Sequence, residues 1–210
     1  MELFLIRHGQ SVGNTCKEDM PDCDLTELGL RQAGYVAECM KGADLTHIVS
    51  SPLVRALQTA QPLARSSGLQ IRVWIDAYEV RDRGLYRGPT AQELERAYPG
   101  IVIEDEMEPD GWLYAGDETP ELGHRRALAV LGRLRREFPG DERVALFAHG
   151  GFNRFLLRAA LGLDHQSAVR FEESNGSIYW LSLQEPEIVV RYVGGPRPLF
   201  TQEGPAASKV

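Results

Sequence analysis

Short apolar runs alternate with longer stretches of helical periodicity along most of the chain, and that alternation restricts the fold more than any other feature. The runs at 3–6, 48–49, 71–75 and 144–148 read as strands, and the stretches at 26–41, 53–66, 118–138 and 152–161 read as helices. Strands separated by helices make a largely parallel sheet with helices on both faces, so the expected fold class is α/β, a three-layer α/β/α sandwich. Two β-type runs, 177–183 and 188–193, flank Glu185-Pro186 and predict a terminal hairpin. Thr26, Ser51-Pro52 and Thr119-Pro120 stand where helix N-caps belong, and Pro139-Gly140 stops the long helix.

One region breaks the alternation. Residues 76–116 carry Gly84, Gly88, Pro89, Pro99, Gly100, Pro109 and Gly111 around a short helical stretch at 91–98. A cap-like excursion inserted in a single domain spanning 1–193 fits better than a second domain. The segment 194–210, rich in Gly, Pro and Ala, is expected to be a mobile tail, with Leu199-Phe200 able to dock.

In open α/β sheets ligands gather beyond the carboxyl ends of the strands. Two such places hold histidine: Arg7-His8-Gly9 follows the first strand, and His149-Gly150-Gly151 follows the strand at 144–148. Either imidazole alone could be a buried residue satisfied by a carbonyl. Two of them, each followed by a glycine that permits close backbone approach, point to one shared pocket. Arg7 and Arg55 add guanidinium forks suited to phosphoryl oxygens. A neutral imidazole beside such cations is a competent nucleophile, and phosphoryl transfer asks mainly for positioning and charge neutralisation. The backbone N–H groups of Gly150 and Gly151, at an expected helix N-terminus, are further candidate oxyanion donors.

Four blocks then carry a family resemblance. Arg7-His8-Gly9-Gln10-Ser11-Val12-Gly13-Asn14, Asp24-Leu25-Thr26-Glu27-Leu28-Gly29 with Gln32-Ala33, Ser50-Ser51-Pro52-Leu53 with Arg55-Ala56-Leu57-Gln58-Thr59-Ala60, and Ala148-His149-Gly150-Gly151 occur in the order of the histidine phosphatase superfamily. The chain resembles that superfamily's phosphoglycerate-mutase-like branch, and Asn175-Gly176-Ser177-Ile178 is similar to its late strand entry. The resemblance implies His8 as the phosphorylated nucleophile, with Arg7, Arg55 and His149 on the phosphoryl group and Asn14 lining the pocket. It also implies an acidic proton donor after the third strand. Glu79 matches best, although the spacing to Gly84 is one residue long and leaves Asp82 as a competitor.

The expected activity is hydrolysis of a small phosphorylated metabolite through a phosphohistidine on His8, without cofactor or metal. A cofactor-dependent mutase and a non-catalytic phospho-ligand binding module are the alternatives. His149-Gly150-Gly151-Phe152 lacks the Asn that mutases of this type usually carry after the second His-Gly, which favours the phosphatase. Arg81, Arg83 and Arg87 hint at a second anionic group on the substrate, against a plainer reading as surface charges. A net charge of -7 argues against nucleic-acid or membrane-surface partners. Cys16, Cys23 and Cys39 have no metal or disulfide spacing, and no stretch approaches a membrane span, so a cytoplasmic protein is expected; a homodimer stays open.

Overall fold

The computed structural model describes residues 1–114, 116–184 and 186–195, with the backbone alone of 200–201 and 204–205. Seven strands form the main sheet: β1 (Glu2–Arg7), β2 (His47–Ser50), β3 (Ile71–Val73), β5 (Ile101–Ile103), β7 (Arg143–Ala148), β8 (Ile178–Gln184) and β9 (Glu187–Gly194). Their order is β5-β3-β2-β7-β1-β8-β9. The first five run parallel, and β8 and β9 are antiparallel additions at one side.

Side-chain alternation along each strand divides the core in two. Leu3 and Leu5 of β1, Val144, Leu146 and Ala148 of β7, and Tyr179 and Leu181 of β8 face one layer. That layer is covered by α4 (Pro120–Glu137) and α5 (Gly150–Ala160), whose Ala127, Val130, Leu134, Phe152 and Leu156 meet it. Phe4, Ile6, Ala145, Phe147, Ile178 and Trp180 face the other, covered by α1 (Glu27–Cys39) and α2 (Val54–Ser67) through Val36, Ala37, Leu57, Ala60 and Leu63. The three-layer α/β/α architecture read from the sequence is the one observed. Each large side chain moved from water into these layers contributes about 1.5–3 kcal/mol, so the central strands are the rigid platform for whatever lies at their ends.

Local signals set the element ends. The Thr26 hydroxyl accepts the Gly29 amide at 3.1 Å, and the Thr119 hydroxyl accepts that of Leu122 at 3.3 Å. At α2 the start falls later than expected: Leu53 is the N-cap, and Ser51 accepts the Leu53 amide from outside the helix. The excursion is also less separate than the sequence suggests. It contains α3 (Ala91–Ala97) and a two-stranded ribbon of β4 (Tyr86–Arg87) and β6 (Leu113–Tyr114), but its β5 pairs with β3 as the edge of the main sheet. Trp112 and Tyr114 are buried and pack with Tyr78 as the core of this ribbon. Phe200–Thr201 pairs with Gly204–Pro205. The expectations for Leu199 and for the rest of the tail fall outside the described residues.

Candidate active site

The register of β1 against β7 sets Arg7 opposite Ala148, so the chain leaves both strands side by side at the next residue. His8 and His149 therefore meet, their ring centroids 5.2 Å apart and inclined at 55°. Both are buried, His8 to 3% exposure and His149 to 0%. His8 Nδ1 lies 2.6 Å from the Gly9 carbonyl. A carbonyl can only accept, so Nδ1 carries the proton and Nε2 keeps a free lone pair. Burial first, then the charges of Arg55 and Arg7, hold His8 well below the ordinary imidazole value, against the opposing pull of the Gly9 bond. The ring is neutral at physiological pH. His149 is lowered for the same reasons, burial leading and Arg55 next; its Nε2 is 2.8 Å from Ser51 Oγ, and its Nδ1 is buried without a partner.

Close backbone approach makes this geometry attainable. A side chain at Gly29 would bring Cβ to 2.0 Å from the Gln10 carbonyl oxygen, and one at Gly9 to 2.5 Å from that of Gly29. The first turn of α1 thus presses directly on the turn that carries His8. Thr59 fixes the same turn from α2: it accepts the Gly9 amide at 3.0 Å and donates to the Arg55 carbonyl at 2.6 Å.

Arg7 and Arg55 converge on the histidines. Arg7 donates to the Glu173 carbonyl and retains a buried Nε without a partner. Gly150 lets the guanidinium lie close, since a Cβ there would sit 3.3 Å from Arg7 Cζ. Arg55, 8% exposed, donates to the Pro21 carbonyl at 3.0 Å and stands 3.9 Å from Asp22. Burial pushes Asp22 up to about 6, partly offset by Arg55.

Glu79 sits against the N-terminus of α5. Its carboxylate accepts the amides of Val80 at 2.8 Å, Gly151 at 3.1 Å and Phe152 at 2.8 Å. A Cβ on Gly151 would fall 2.5 Å from Glu79 Oε1, so glycine there makes room for the carboxylate. The Gly151 amide, expected to face a phosphoryl oxygen, is therefore already committed. Asp82, the competitor for proton donor, is exposed and does not line the cleft.

Arg7, His8, Asn14, Arg55 and Glu79 line one cleft of about 340 Å³, with His149 buried behind His8. Asn14 is held by the Ser11 amide and by Asn175, both at 3.1 Å. His47 pairs with Glu142, and His124 and His165 face each other, all apart from this cleft. Among the described residues there is no group of three or more His, Cys, Asp or Glu arranged to hold a metal ion. Nor is any helix among them long and apolar enough to cross a membrane.

Several residues that shape the site were not singled out from the sequence. Arg126 donates to the carbonyls of Asp76 and Tyr78, both at 2.8 Å, and pairs with Glu118 at 2.6 Å, clamping the chain immediately before Glu79. Asn175 donates to the His8 carbonyl at 3.2 Å. Glu173 accepts from Asn153 at 3.0 Å on one oxygen and buries the other without a partner; burial, reinforced by Glu79, pushes it up to about 8. Only Asn175 had a sequence signal, as part of the block at 175–178; the others depend on contacts between distant segments.

The sequence profile of the histidine phosphatase superfamily (branch 1) matches residues 3–194. The chain belongs to that superfamily. A probable phosphoglycerate mutase of Proteus mirabilis is 32% identical over 183 residues, covering 85% of this chain and 83% of the relative. Among solved structures, a mycobacterial glucosyl-3-phosphoglycerate phosphatase superposes with a TM-score of 0.68 at 26% identity, covering 92% of this chain and 99% of that one. A phosphoserine phosphatase from Entamoeba histolytica shares the fold, with a TM-score of 0.69 at 21% identity over 95% and 99% of the two chains.

Proposed function

We propose that the protein hydrolyses a small phosphorylated metabolite by way of a phosphohistidine on His8. The observation that carries this reading is the fixed tautomer of His8, which keeps Nε2 unprotonated in a cleft it shares with two arginines and a carboxylate. In the first step Nε2 attacks phosphorus and the ester P–O bond breaks. Glu79 delivers the proton that the departing alkoxide needs. Arg7, Arg55 and His149 balance the charge on the equatorial oxygens, and the buried Arg7 Nε and His149 Nδ1 are two groups without protein partners that suit this task. In the second step water gives a proton to Glu79 and attacks phosphorus, the P–N bond breaks, and neutral His8 returns with inorganic phosphate as product.

The relatives named as probable phosphoglycerate mutases favour a second reading, in which the phosphoryl group returns to an organic acceptor rather than to water. Hydrolysis is preferred here because the cleft has exposed residues such as Lys17 and Arg83 among its lining, and because Gly151 stands directly after His149-Gly150, where mutases of this type usually carry Asn. Turnover of p-nitrophenyl phosphate by the wild type, abolished in His8→Ala with an unchanged circular dichroism spectrum, is the expected result. Absence of turnover on every monoester tried, with phosphate still bound, would leave a binding module instead. Interconversion of 3- and 2-phosphoglycerate faster than release of phosphate, measured with and without 2,3-bisphosphoglycerate, would decide for the mutase.

A further inference from the structure

Asp22 is a buried acid that the proposed chemistry does not use. Its side chain is 4% exposed, and it stands outside the set of residues lining the cleft. One oxygen, Oδ1, accepts the Val54 amide at 2.9 Å, the first N–H of α2, and lies 3.9 Å from Arg55 Nη1. The other, Oδ2, is buried without a partner. Arg55 donates from Nη1 to the Pro21 carbonyl at 3.0 Å rather than to Asp22, and it lines the cleft beside His8. Asp22 and Arg55 are thus joined by charge and not by a hydrogen bond, and the same guanidinium is open to a ligand.

A carboxylate in such a place is ionised only through its neighbours. Burial disfavours its charged form most; Arg55 first, then the Val54 amide, oppose burial, and the balance leaves Asp22 at about 6. The other groups that face it give no help. Asp24, on its own segment, is an acid that raises it further. Tyr86 of β4 and Tyr98 at the end of α3 are phenols, each made harder to ionise by Asp22. Arg55 is therefore the cation that keeps Asp22 charged. A phosphoryl dianion bound to Arg55 claims that attraction and adds its own negative charge nearby. A buried carboxylate that loses its compensating cation takes up a proton in preference to staying ionised.

We infer that Asp22 is a positioning residue that competes with the substrate for the charge of Arg55: it steadies the guanidinium in the free protein and accepts one proton from solvent when a phosphoryl dianion binds. The proton leaves water or buffer, an O–H bond forms on the carboxyl group, and the site gains one negative charge instead of two. Loss of that proton restores the competitor and favours release of inorganic phosphate. This role rests on the reading that Arg55 holds the phosphoryl group.

The probe is inorganic sulfate, which remains a dianion at every pH used and so takes up no proton itself. Calorimetric titrations in buffers of different ionisation enthalpy count the protons bound with it. The wild type is expected to take up more than about half a proton per sulfate at pH 7, and less than about a tenth at pH 5, where Asp22 is already protonated. Asp22→Asn keeps an acceptor for the Val54 amide and removes the charge. It should show no such uptake and bind sulfate about five- to tenfold more tightly than the wild type at pH 7, with the two affinities meeting at pH 5. A merely structural Asp22 predicts the opposite, weaker binding in the variant at both pH values, and that result overturns the proposal. Uptake that survives unchanged in Asp22→Asn also overturns it, because the proton would then belong to His8 or His149. The wild-type titrations stand without any variant: binding that requires Arg55, tested with Arg55→Ala, but carries no proton overturns the role of Asp22 alone. No binding of sulfate, or binding that Arg55→Ala leaves unchanged, removes the phosphoryl-site reading of Arg55 and the role of Asp22 with it.

Discussion

The inner end of the cleft and its mouth are built on opposite principles. Inside, His149, Arg55 and Glu79 are each fixed by groups on other elements, namely Ser51, the Pro21 carbonyl and the amides heading α5, and His8 is fixed by the carbonyl of its neighbour Gly9. At the mouth, Lys17 and Arg83 stand exposed on irregular chain, and one Arg81–Asp19 pair joins the two sides. A reacting group must be held before substrate arrives, because positioning supplies much of the rate. A group that only recognises the remote part of a substrate can be ordered on binding at modest cost. The difference predicts that inner substitutions act on kcat and outer ones on KM.

The largest expected effect is that of His8→Ala, which removes the nucleophile and should lower kcat more than about 10³-fold on any monoester. Rapid acid-free quenching with labelled substrate should trap phosphoprotein in the wild type and none in the variant. Retention of a phosphoenzyme in His8→Ala would move the chemistry elsewhere and dissolve the contrast between the two regions.

Next is Glu79→Gln. Loss of general acid-base assistance costs about 10²-fold or more where the leaving group is a poor one, whereas p-nitrophenolate leaves without a proton. The expected outcome is therefore a strong fall on an alkyl phosphate and a fall of less than about tenfold on p-nitrophenyl phosphate. Equal slowing on both would assign Glu79 a positioning task, since its three amide bonds also pin the start of α5. Arg126→Gln sharpens the same point from behind. Removing the guanidinium leaves Glu118 buried without its partner, which should cost about 3 kcal/mol in denaturant unfolding. It also frees the Asp76 and Tyr78 carbonyls and lowers kcat selectively on poor leaving groups.

A pH effect separates inner structure from inner chemistry. Glu173 has a pKa of about 8 in the fold against an ordinary value of 4.5. Between those values the folded chain holds a proton that the unfolded chain has released. Its contribution to stability is therefore complete below pH 4.5 and is lost as pH rises through 8, with a slope of at most about 1.4 kcal/mol per pH unit. Glu173→Gln should remove that component, so the variant gains on the wild type between pH 6 and pH 9 in urea unfolding. A constant stability difference across that range would mean that Glu173 ionises normally.

How much of this was legible in the sequence follows the same division. His8, Arg7 and His149 could be read because a strand end and a following glycine are local signals, and sheet register then brings them together without further information. Glu79 could be named but not distinguished from Asp82, because only the distant α5 amides select it. β5 was concealed inside the excursion, since a three-residue apolar run between Gly100 and Glu104 has no periodicity of its own; its pairing with β3 supplies the identity. Trp112 and Tyr114 carry no sequence mark of what they stack on, and here it is Tyr78 and each other. Arg81, Arg83 and Arg87 are alike in sequence and are sorted only by whether Asp19 or Asp110 comes within reach.

The smallest expected effect tests the mouth directly. The Arg81–Asp19 pair joins the two cleft segments, with side-chain exposures of 11% for Arg81 and 40% for Asp19. An ion pair whose carboxylate is this exposed contributes about 0–1 kcal/mol, and salt screens it. Asp19→Asn should therefore change KM by less than about fivefold while kcat stays put. The wild-type and variant KM values should converge as ionic strength rises from low salt to about 0.5 M. A fall in kcat comparable with that of Glu79→Gln would mean that the mouth is coupled to the nucleophile. The rigid interior and the rim would then be one device.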